Sequence, residues 1–162
     1  MTEAAWWKGA RGEWYVVVQS LLIILIAVGP RTWNGWPSWP FPGGPVVLIS
    51  GLAFLVGGAC LAGAGGATLG AALTPLPYPA ANGVLRVTGA FRMVRHPMYS
   101  GVILAAFGWA LVAHGWLTIL YALVGFAFLD VKSRREEQWL VERYPDYPAY
   151  QRRIRKLIPF VY

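Results

Sequence analysis

The sequence predicts an all-α polytopic membrane protein, with about four transmembrane helices and a cytoplasmic C-terminal helical segment. Three observations carry that expectation. First, 57% of the 162 residues are hydrophobic and only 13% are charged, about half the charge a water-soluble domain carries. Second, the apolar residues gather into four stretches, 14–28, 46–73, 98–113 and 116–131. Third, the basic residues flank these stretches almost entirely on one side. A net charge of +7 without a separate basic domain points to anionic lipid headgroups, not to nucleic acid.

The expected spans are about 14–29, 46–73, 97–113 and 116–132, in a single integral membrane domain over residues 1–162. Lys8 and Arg11 precede the first, but Gly29-Pro30-Arg31 follows it with no small-x-small cleavage pattern. It reads as a retained span, not a signal peptide. The second stretch contains Gly58/Ala62, Ala59/Gly63 and Gly66/Gly70, and small residues four apart let helices approach closely in lipid. The same run lacks the Gly-Lys-Ser/Thr ending of a phosphate loop. The lone Cys60 excludes an internal disulfide and reads as a small packing residue. Only His114-Gly115 separates the third and fourth stretches, so a tight helical hairpin is required there. Some of these stretches are short against the roughly 20 residues a span wants, which calls for bilayer thinning or extension into their flanks.

Arg86, Arg92 and Arg95 lie between the second and third stretches, and Lys132 to Lys156 carries eight basic residues after the fourth. The positive-inside rule then puts both termini and the central loop in the cytoplasm, for a multi-pass protein of the cell (plasma) membrane. The opposite loop, 32–42, is rich in Trp and Pro and reads as an aromatic interfacial belt. After the fourth stretch, residues 133–143 continue it as a helix, Pro145 and Pro148 break it, and a short basic helix is expected over 149–157.

Two polar clusters meet the membrane boundary, where ionisable residues are costly. One is Arg95-His96-Pro97-Met98-Tyr99-Ser100-Gly101. Pro97 suits a first helical turn, which leaves His96 just outside the helix and near its unpaired N–H groups. Such an end attracts anions; the alternative is a basic anchor with a capping His. The other cluster is Arg134-Arg135-Glu136-Glu137, followed by Tyr147, Tyr150 and Arg152-Arg153. Taken alone it suits salt bridging as well as catalysis.

Taken together, Arg95-His96-Pro97-x-Tyr99-x-Gly101, Glu136-Glu137-x-x-Leu140, Tyr147-x-x-Tyr150 and Ile158-Pro159 resemble the isoprenylcysteine carboxyl methyltransferases and the related phospholipid methyltransferases. These are integral membrane enzymes that use S-adenosylmethionine. The likeness covers about residues 74–160 and does not extend to the first two spans. It implies donor binding by elements at about 83–101 and 133–160, with Thr88, Gly89, Arg95, His96, Tyr99, Gly101, Tyr147 and Tyr150 holding S-adenosylmethionine. It implies that Glu136, Glu137 and Arg153 act near methyl transfer, with no metal. The acceptor would be a lipophilic small molecule or lipid carrying a carboxylate, hydroxyl or amine, reaching the site from the bilayer. Two other readings stay open: an NADPH-dependent membrane reductase of the sterol or steroid type, in which the Arg-His-Pro-x-Tyr-x-Gly element also occurs, and a non-enzymatic membrane scaffold.

Overall fold

The computed structural model describes residues 9, 11–36, 44–79 and 83–162. Lys8, part of the Trp- and Pro-rich loop (37–42) and residues 80–82 of the central loop lie outside the described residues. Among the described residues all regular structure is helical: α1 (Glu13–Val28), α2 (Pro45–Leu69), α3 (Pro97–Ala113), α4 (Trp116–Arg143) and α5 (Tyr147–Arg153). Two short 3₁₀ turns join them, Gly70–Ala72 after α2 and Gly89–Arg92 before α3.

Each apolar stretch becomes a helix. The α2 helix with its 3₁₀ extension, Pro45–Ala72, and α4 are each 28 residues long and apolar enough to cross a bilayer. The other two, α1 and α3, have 16 and 17 residues, about 24–26 Å at 1.5 Å per residue, short of a 30 Å hydrocarbon core. The outer surface is that of a membrane protein. No residue of α1 is buried, and its Leu21 and Ile24 stand open, as do Val46, Ile49 and Val56 on α2. An apolar exterior of this extent belongs in lipid. Cys60 is exposed on α2, not packed inside as the sequence suggested.

The tightest packing is antiparallel, between α2 and α3. The residues α2 buries are Gly51, Gly58 and Gly65, seven apart, and on α3 Gly101 and Gly108 repeat at the same interval. A methyl group on Gly58 would stand 2.5 Å from the carbonyl of Gly101, and one on Gly108 would stand 2.7 Å from that of Gly51. Glycine here lets the two backbones touch. Of the expected small-residue pairs, Gly58/Ala62 lies in this seam, whereas Gly63 and Gly70 face open space.

A turn at His114-Gly115 reverses the chain, with His114 left-handed at φ 51°, and α4 returns beside α3. Antiparallel to α4 runs α1, where Ile26 packs toward Gly125 and the Leu117 N–H donates to Arg31 O at 3.0 Å. The apolar part of α4 ends at Val131. From Lys132 the helix continues as a charged segment that extends past the apolar span. It stops at Arg143, before Pro145, and α5 starts with Pro148 in its first turn. The short helix therefore lies at Tyr147–Arg153, earlier than the expected 149–157, and the chain leaves helical geometry at Ile154 and ends in a turn closed by Val161 N to Ile158 O at 3.1 Å. That segment runs along the start of α3: Arg95 N donates to Arg155 O (2.8 Å) and His96 N to Lys156 O (3.1 Å). The Ser100 hydroxyl donates to Leu157 O at 2.6 Å.

Candidate functional site

The site forms where the start of α3, the charged end of α4 and the C-terminal segment meet. His96 stands just outside α3, with no side-chain cap to it, and Pro97 occupies its first turn, as the spacing predicts. The centre is Glu137, whose carboxylate receives Arg95 Nε at 2.6 Å and Nη2 at 3.2 Å. It also lies 3.0 Å from His96 Nε2 and accepts from Tyr147 Oη at 3.2 Å and Gln151 Nε2 at 3.1 Å. These donors fill the roughly four acceptor positions of a carboxylate.

Burial would push the Glu137 carboxyl up, but the hydrogen bonds and charges of His96 and Arg95 outweigh it and hold it down at about 2. Glu137 is therefore ionised and only accepts, so His96 Nε2 must carry the hydrogen between them. The Tyr147 hydroxyl is pushed up by burial and by the negative charge of Glu137. Burial likewise raises that of Tyr150, which donates to Phe91 O at 2.6 Å. Arg95 Nη1 completes the joint by bonding the carbonyls of Gln151 and Ile154.

Beside this joint lies a cavity of about 380 Å³, within the range of small-molecule sites. The end of α2 and the proline-rich segment after it (Leu69, Leu73, Pro75, Pro77) form one wall, and Met98, Tyr99 and Val102 form another. The Tyr99 ring stacks on His96 with 5.3 Å between centroids. Its hydroxyl donates to Glu136 Oε2 at 2.7 Å, and Glu136 itself lines the cavity. Lys132 and Gln19 reach the cavity from α4 and α1, Arg86 from the central loop and Tyr144 from the end of α4. Tyr144 also pins that loop, donating to Gly83 O at 2.7 Å.

The structure thus brings together Arg95, His96, Tyr99, Glu136, Tyr147 and Tyr150 at the cavity, with Glu137 buried behind them. The other expected site residues are elsewhere. Gly101 lies in the α2–α3 seam, and a side chain there would meet α2 backbone. Thr88 and Gly89 are exposed at the 3₁₀ turn, where Gly89 faces Thr68. Arg153 is exposed at the end of α5. Among the described residues no group of His, Cys, Asp and Glu is placed to hold a metal. Lys132, Gln19, Arg86 and Tyr144 are polar cavity residues that sequence reasoning missed. For Gln19 and Lys132 the available signal was a polar residue inside a span and a lysine where the fourth span ends.

A family model described as 3-oxo-5-alpha-steroid 4-dehydrogenase matches residues 77–162, more than half of the chain. The chain is also similar to a Gossypium hirsutum protein described as steroid 5-alpha-reductase DET2, at 33% identity over 75 residues. That alignment covers 46% of this chain and 28% of the relative, so the chain spans little more than a quarter of the relative's length.

These matches overturn the expected methyltransferase, and with it S-adenosylmethionine as the cofactor. The physical reason lies in the motifs. Arg95-His96-Pro97 and Glu136-Glu137 encode an ion-paired joint between α3, α4 and the C-terminal segment, and such a joint does not depend on what binds beside it. The anion that the Arg95/His96 helix start was expected to attract is the chain's own Glu137. The joint, α5 and the C-terminal segment all lie within the matched residues, and the chain belongs to the 3-oxo-5-alpha-steroid 4-dehydrogenase family.

Proposed function

We propose that this protein takes part in the NADPH-dependent reduction of a lipophilic, steroid-like acceptor at a carbon–carbon double bond conjugated to a carbonyl. The observation that carries this reading is a cavity with mostly apolar walls, bordered by the polar joint of the matched segment. A sterol-sized body is apolar and requires such walls, with a few placed polar groups to orient it.

The residues present suit the nucleotide in their chemistry. Arg86 at the cavity offers a guanidinium for a phosphate, and Tyr144 offers a ring face. When bound, the dinucleotide supplies a hydride. The acceptor takes that hydride at the carbon β to its carbonyl and one proton at the α carbon, with negative charge gathering on the carbonyl oxygen in between. Tyr99 Oη holds a proton at the cavity wall, shared with Glu136 Oε2 at 2.7 Å, and can deliver it to the α carbon. Glu136 is partly exposed, so the proton is replaced from solvent through its carboxylate. Walls formed by Leu69, Leu73 and Met98 exclude water from the reacting carbons.

On this reading the basic segments face the cytoplasm, both termini included, and the multi-pass chain sits in the plasma membrane as one integral unit. The acceptor reaches the cavity from the bilayer. Calorimetry on the protein in lipid nanodiscs tests the cofactor: NADPH binds with saturable heat and S-adenosylhomocysteine gives none. The reverse pattern would remove the proposal.

A further inference from the structure

Lys132 is 1% exposed, although the sequence places it among the basic residues that ordinarily mark a membrane surface. An ammonium group so deeply buried is expensive unless each of its hydrogens has a partner. Two do: Nζ donates to Gln19 Oε1 at 2.6 Å and to Pro75 O at 3.0 Å. Its third N–H has no such acceptor among these bonds, and Nζ stands over the Tyr99 ring at 5.1 Å from the centroid. Lys132, Gln19 and Tyr99 all line the cavity. Gln19, next to Ser20, interrupts the apolar run of α1, and Lys132 holds it across the helix interface. A basic anchor would extend into headgroups and would need neither partner.

We infer that Lys132 receives the carbonyl oxygen of the lipophilic ligand, with Gln19 and Pro75 O holding its ammonium at the cavity. The claim rests on the proposed reductase reading for the type of ligand and names its recognition element: a hydrogen-bond-accepting oxygen on an otherwise apolar ring system. Glu136 lies one helical turn beyond Lys132 and faces the same cavity. The ligand's oxygen is therefore drawn to the Lys132 side and away from the carboxylate. During reduction the same ammonium would steady the charge gathering on that oxygen.

The test uses the full chain in nanodiscs without nucleotide, following tryptophan fluorescence. The probes are a 4-en-3-one steroid and the same steroid lacking its 3-oxo group. Wild type should bind the ketone on the order of ten- to a hundredfold more tightly, the usual effect of a hydrogen bond to a charged group. Lys132→Met should abolish that preference, so that ketone and deoxy steroid bind alike, and Lys132→Arg should keep most of it. Should Lys132→Met fail to fold, Gln19→Leu carries the test, because it keeps the ammonium but removes one anchor. It should lower the preference severalfold. A wild type without ketone preference, or a preference that survives Lys132→Met or Gln19→Leu, would overturn the assignment. Failure to bind NADPH would count against the reductase and leave this result standing.

Discussion

Arg95 and Glu137 form a two-point ion pair, Nε to Oε1 and Nη2 to Oε2, with side chains only 12% and 11% exposed. The pair joins the residue before His96 to the end of α4, and through Gln151 and Ile154 it also holds the C-terminal segment. Glu137→Ala would remove the acceptor of Arg95 Nε and Nη2, Tyr147 Oη and Gln151 Nε2. We expect a loss of about 3–5 kcal/mol, the range for breaking one side of a buried pair. Thermal unfolding in detergent should show it, and Arg95→Met combined with Glu137→Leu should lose less than the sum of the two single changes.

The same carboxylate gives a pH signature. Its folded value, about 2, lies below the ordinary value of 4.5, so its stabilisation is fully present above the ordinary range. It fades as pH falls through that range toward about 2. Melting temperature measured from neutral pH downward should fall across this window in wild type, and the corresponding part of the fall should be missing in Glu137→Gln.

Close contact in the α2–α3 seam predicts a contrast between glycines. Gly101→Ala places a methyl against the Gly58 carbonyl and Ala62 and should cost about 1–3 kcal/mol through overpacking. Gly63→Ala meets nothing within 4 Å and should be neutral or slightly stabilising through helix propensity. Both are read by thermal unfolding.

Arg86 lies at the cavity, in the loop that Tyr144 pins. If it receives a phosphate, Arg86→Ala should weaken NADPH binding by roughly tenfold and flatten its dependence on salt. Titration calorimetry at two salt concentrations checks both effects.

Much of this architecture is local in origin and so was legible in the sequence. Apolar runs define the helices, Pro97 starts α3, His114-Gly115 turns the chain, and His96 meets Glu136 and Glu137 across two helices. The heptad of Gly51, Gly58 and Gly65 was not legible, because α2 carries glycine and alanine at many positions and only the partner helix selects a register. Lys132 was missed for a related reason. Where a span ends, a lysine reads as an anchor until Gln19 and Pro75 O are placed around it. The cofactor was misread because the shared motifs describe the joint between α3 and α4, not the ligand beside it.

On the proposed reading the cavity serves reduction of a lipophilic enone. The direct measurement incubates the protein in nanodiscs with NADPH and a 4-en-3-one steroid, then follows NADPH oxidation and product mass together. NADPH consumption should be matched by a product that has gained two hydrogens, with both lost in Tyr99→Phe. An unchanged steroid and intact NADPH, from folded protein that binds both, would contradict that reading.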